Sequence, residues 1–242
     1  MRKNIFKFVI VLFVFFVALS GLVAEDKFGI VSGTDLSKLF AEISDSKGNI
    51  KGAKIVSLSK WDKPLSDKWV RVGGEAHILI DAPLAIVKQV LLDVDGQPSI
   101  FTNKSRGSLQ RTKSAVVKKT AGNVTTITFT TESKLGPVQD ESYYTADVTQ
   151  NASGKDNPEK SYSETVVQTD SATNPKVRNV NAVWYAEAVT VNGKSYTYLR
   201  FADTTELNQQ GLMATAVNLG LSGAHTIPLE QVMDAALARV KK

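Results

Sequence analysis

Few residues of this chain have the types and spacing that support chemistry. There are two histidines and no cysteine among 242 residues, so thiolate nucleophiles, disulfides and cysteine-bearing metal sites are excluded. His77 lies in Trp69 to Ile80, where Val70, Val72, Ala76, Ile78 and Ile80 share one parity and Arg71, Glu75 and His77 the other. A general base or metal ligand is the sharp reading of such a histidine, and a solvated residue on the polar face of a half-buried strand the bland one. The bland one is expected. His225 stands in Gly223-Ala-His-Thr-Ile-Pro between two apolar runs, where a loop or helix-end role is expected. With the histidines on distant segments, no zinc constellation forms and no metal or other cofactor is expected.

The carboxylates read as turns and ion pairs. Asp93, Asp95 and Gly96 fit a turn, because the spaced oxygen ligands of a calcium loop are missing. Asp140 and Glu141 fit an exposed strand start. Glu187 and Arg200 flank Asn192-Gly193, the two-residue turn whose positive φ angles match the twist of paired strands. Counting outward from that turn, Val191 faces Lys194, Glu187 faces Tyr198 and Arg200 faces Tyr185. Glu187 and Arg200 are thus diagonal neighbours, expected to form an outward-facing ion pair; a polar tether for a ligand is the other reading. The opposite face collects Trp184, Ala186, Ala188, Leu199 and Phe201. No Gly-x-Ser-x-Gly elbow, phosphate loop or dinucleotide fingerprint occurs.

The elements that must position these residues are legible in outline. Arg2, Lys3 and Lys7 precede an apolar run from Phe8 to Leu19 and small residues at Ser20, Gly21 and Ala24, which predicts a signal peptide cleaved after Ala24 and a single domain over 25–242. An uncleaved anchor is the alternative. Loss of the three basic residues takes the formal charge from +5 to +2, so the basic balance is in part a targeting feature and argues against a nucleic-acid partner. A periplasmic or secreted location is expected. Asp35 or Thr34 caps a helix through Leu36, Leu39, Phe40 and Ile43, with Gly48 closing it. A short strand is expected at Lys54 to Leu58, then the Trp69 to Ile80 strand and, after Pro83, a helix carrying Leu84, Val87 and Leu91. Further strands are expected at Ser108 to Val117, Val124 to Glu132, Ser142 to Thr149, Ser161 to Thr169, Asn179 to Val191 and Ser195 to Phe201. Two helical runs with a bend at Gly220, Gly223 and Pro228 complete the chain.

The order β-α-β6-α, with Asp81-Ala82-Pro83 before a helix ending Leu91-Leu92-Asp93, resembles the START-related superfamily, also called SRPBCC or helix-grip. The resemblance covers about Thr34 to Lys242, and its added N-terminal helix and strand look like START lipid-transfer domains. It implies an α+β fold in which a curved antiparallel sheet wraps around a long C-terminal helix, and a lipid or other apolar small molecule held between them. Expected to contact that ligand are Ile78, Phe101, Phe129, Trp184, Leu199, Phe201, Met213, Leu229 and Met233. Transient membrane contact is compatible with this reading. An enzyme of the same fold acting on an apolar substrate, or a protein-interaction module, are the alternatives; no catalytic residue is assigned.

Overall fold

In the computed structural model, residues 28–60, 69–102, 110–135, 138–154, 157–208 and 212–241 are described. The elements follow in the order α1 (Leu36–Ile43), β1 (Lys54–Lys60), β2 (Trp69–Ile80), α2 (Leu84–Leu92), α3 (Gln97–Ile100), β3 (Gln110–Ala121), β4 (Val124–Leu135), β5 (Val138–Gln150), β6 (Ser161–Gln168), β7 (Val177–Val191), β8 (Lys194–Asn208) and α4 (Leu212–Val240). Eight strands form one antiparallel sheet in the order β1-β2-β8-β7-β6-β5-β4-β3. Helix α4 touches β1, β2 and β8 near one edge and β4 and β5 near the other. A single helix reaches both groups only if the sheet curves around it. This is the α+β helix-grip arrangement.

Local chemistry accounts for the element boundaries. The Asp35 carboxylate caps α1 by accepting from the N–H groups of Ser37 and Lys38, 2.9 and 3.1 Å away. The helix ends at Ser44, so Gly48 belongs to the following turn. Pro83, extended at φ −60°, is the N-cap of α2. Asn192 and Gly193 hold φ of 50° and 78°, and the predicted register Val191 with Lys194, Glu187 with Tyr198 and Tyr185 with Arg200 is observed. Several strands outrun their expected ends. Strand β8 continues through Asp203, Thr204, Thr205 and Glu206, because each pairs with β2 between Arg71 and Gly74; ladder hydrogen bonds carry it where apolar alternation stops.

Two expectations are corrected. The C-terminal runs form one helix with Pro228 inside it, not two helices with a bend. A proline in a helix interior costs about 3 kcal/mol. Here the turns around it are anchored: Leu229, Val232 and Met233 are buried in the core, and the His225 ring lies over Gly74 of β2. A Cβ at Gly74 would come within 2.8 Å of that ring, so the glycine is what allows helix and strand to approach so closely.

His77 is the second. It is 5% exposed, not solvated. Parity correctly separates it from Ile78 and Ile80, but its face is roofed by the N-terminal segment and α1. The Tyr198 hydroxyl lies 3.2 Å from His77 Nδ1 and accepts from the Val31 N–H at 3.2 Å. Arg200 also turns out buried: it pairs with Glu75 at 2.6 Å and donates to the Gly29 carbonyl at 3.1 Å. Glu187 instead accepts from the Tyr185 hydroxyl at 2.8 Å. The expected Glu187–Arg200 pair is therefore replaced by Arg200–Glu75.

Candidate ligand-binding cavity

The inner face of the sheet is divided into two zones. Toward the Asn192-Gly193 turn, Tyr162, Ala186, Leu199 and Ile78 lie across β6, β7, β8 and β2 and are fully buried. Leu229, Val232 and Met233 of α4 fill the space over this part of the core. The next inner row is Gln150, Glu164, Trp184, Phe201 and Ala76. Beyond the packed rows, the space between sheet and helix is open, a cavity of about 760 Å³. That volume falls in the range of small-molecule sites, roughly 300–1,000 Å³.

Its walls are mainly apolar. Phe101, Ile127, Phe129, Val166, Trp184 and Phe201 line it, with Leu91 and Leu92 of α2 and Ile227 of α4. The Trp184 and Phe201 rings lie 4.4 Å apart, and Phe129 stacks on Tyr144 at 5.3 Å. Val117, a wall residue on edge strand β3, is 46% exposed, which marks an open side. Of the residues expected to meet a ligand, Phe101, Phe129, Trp184 and Phe201 stand on the wall. Ile78, Leu199, Leu229 and Met233 instead lie in the packed core beside it. The side chain of Met213 falls outside the described residues.

Polar groups interrupt this wall, and sequence reading missed their role. His225, on the helix and not in a loop, meets the Asp203 carboxylate at 2.6 Å, and both line the cavity. Arg111 lines it too and pairs with Glu132 at 2.6 Å. Gln231 donates to the Thr102 carbonyl. Glu164 is 6% exposed and accepts a 2.7 Å hydrogen bond from Tyr162. Burial pushes its carboxyl up to about 7, against the opposing effect of the tyrosine hydroxyl. Burial also raises the Tyr144 phenol to about 12, with the nearby Asp203 and Asp170 charges adding to the effect. The signal for Glu164 is present in the sequence: it shares strand parity with Tyr162 and Val166.

Asp93 closes α2, accepts from the Gly96 N–H at 2.9 Å and pairs with Arg239 of α4, so it is a structural turn residue. Among the described residues, no group of three or more His, Cys, Asp or Glu side chains is placed to hold a metal ion.

No family model matches this sequence, and no curated protein matches it. Solved structures do. An aromatase/cyclase from Streptomyces is 17% identical with a TM-score of 0.46, covering 70% of this chain and 96% of that one. A fragment of a STAR-related lipid transfer protein from Xanthomonas axonopodis is 10% identical, TM-score 0.44, covering 76% and 99%. A truncated norcoclaurine synthase from Thalictrum flavum is 11% identical, TM-score 0.42, covering 72% and 96%. These names divide between enzymes and lipid transfer. At such values the likeness is one of chain course alone.

Proposed function

We propose that this chain is an exported protein that holds a lipid or other apolar small molecule between its sheet and α4. The observation that carries the reading is the cavity of about 760 Å³ with Phe101, Phe129, Trp184 and Phe201 on its walls. Removing apolar ligand surface from water there supplies about 25 cal/mol per Å² before association costs. The exposed flank at Val117 on β3 gives a ligand an entry side that does not require the packed core to open. Export rests on the basic start, apolar run and small residues before Glu25.

Native mass spectrometry of protein recovered from its own cell envelope tests the reading. A bound apolar molecule on a chain beginning at Glu25 is expected. Repeated recovery of empty protein that also fails to take up a neutral apolar fluorophore would overturn the binding role, and an intact first residue would overturn cleavage. A second reading, an enzyme of this fold, is favoured by Glu164 and the Asp203–His225 pair on the wall. The same experiment separates the two: an enzyme converts its captured molecule to a new mass on incubation, and a carrier returns it unchanged.

A further inference from the structure

We propose that Glu164 is the polar anchor of the cavity and selects an amphiphile with a protonated amine on an apolar body, over matched carboxylates or alcohols. The inference rests on the cavity being a ligand site and adds the chemistry of that ligand. Glu164 is 6% exposed, lines the cavity and has the Tyr162 hydroxyl, 2.7 Å away, as its hydrogen-bond donor. An ionised carboxylate offers about four acceptor positions. No lysine or arginine among the described residues stands within ion-pair distance of it.

The other ionisable wall groups are already engaged within the protein. Arg111 is held by Glu132, and His225 by Asp203. The ionisable wall group left for a ligand to engage is therefore an acid.

A second, independent feature points the same way. Trp184 sits directly across from Glu164 in the β6–β7 ladder, and Phe201 directly across from Trp184 in β7–β8. Indole is the strongest aromatic acceptor for a cation, and desolvation strengthens the contact. A carboxylate beside a Trp–Phe pair offers an ammonium a counter-charge and an aromatic face together, while a fatty carboxylate brings a buried charge that the ionised form of Glu164 repels and its neutral form does not balance. With its carboxyl raised to about 7 by burial, Glu164 is readily neutral when alone, and an arriving ammonium favours its ionised form.

The test is displacement of the neutral fluorophore N-phenyl-1-naphthylamine from the mature chain by dodecylamine, dodecanol and dodecanoate. Dodecylamine is expected to displace it at roughly 10-fold lower concentration than dodecanol, with dodecanoate weakest. Glu164→Gln should bring amine and alcohol together, each displacing concentration being read against that variant's own fluorophore affinity. Glu164→Asp, which keeps the charge on a shorter arm, should retain part of the preference and serves if the glutamine variant does not fold. Fluorophore binding with no amine preference, or a preference that survives Glu164→Gln, overturns the proposal. Failure of the wild-type chain to bind the fluorophore overturns the cavity reading and this proposal with it.

Discussion

The two faces of the sheet both bury polar side chains, and they do so in different ways. On the outer face of β2 and β8, Glu75, His77, Tyr198 and Arg200 lie beneath the N-terminal segment and answer one another through ion pair, hydrogen bond and backbone carbonyl. On the inner face, Glu164 has one tyrosine donor and open space beside it. Burial of a charge alone therefore does not mark a functional group here. A buried polar group answered on every side by the protein fixes the fold, whereas one that borders open space keeps acceptor capacity that the protein does not use.

The sharpest way to break this contrast is at Arg200. Replacing it by alanine leaves Glu75 beneath the N-terminal segment without its cation, and urea unfolding should show a loss of about 4 kcal/mol, because removing one member of a buried pair strands the other.

A comparison within the inner face follows. Leu199→Ala, in the packed zone, should cost about 3 kcal/mol through the void it creates. Phe129→Ala removes a larger side chain that already borders empty space, so it should cost about half as much in the same assay while weakening fluorophore binding.

The two faces should also titrate with opposite signs. Burial, with the Lys54 and Arg200 charges adding to it, lowers His77 from 6.5 to about 4. The unfolded chain therefore takes up a proton first, and stability falls as pH drops from 6.5 toward 4. Glu164 is raised from 4.5 to about 7, so the unfolded chain loses its proton first and stability falls as pH rises from 4.5 toward 7. Each amounts to about 3 kcal/mol over its full range. The two windows overlap, so the contributions largely cancel in the wild type; unfolding measured across pH 4 to 8 should show a net gain of stability toward acid in His77→Asn and a net loss toward acid in Glu164→Gln. The smallest effect belongs to the surface: Lys194→Ala, which breaks the exposed pair with Asp81, should change stability by less than about 1 kcal/mol.

Much of the framework was legible from local pattern. The alternation in Trp69–Ile80, Pro83 before α2 and the Asn192-Gly193 turn each carry a backbone preference strong enough to act without distant help. The register around that turn followed by counting, and with it the placement of Trp184 and Phe201 on the inner face. Parity says which face a residue takes but not what covers that face, and this is why His77 and Arg200 were expected in solvent. The Gly220 to Pro228 stretch shows the converse, a local helix-breaking signal overruled by the burial of Leu229 and Val232 and by His225 resting on Gly74.

The candidate site divides along the same line. Its aromatic wall was read in part, because Trp184, Phe201, Phe129 and Phe101 are large apolar residues on strands or just after a helix. Whether such a residue fills the core or borders a cavity depends on how far α4 stands from each row of the sheet, and Ile78, Leu199, Leu229 and Met233 went to the core. Residue type and near-neighbour spacing were enough for the succession of strands, the hairpin register and the lack of thiol chemistry. Tertiary packing was needed to bring Glu164 and the Asp203–His225 pair to one cavity wall, because that wall is assembled from strands and a helix far apart in the chain.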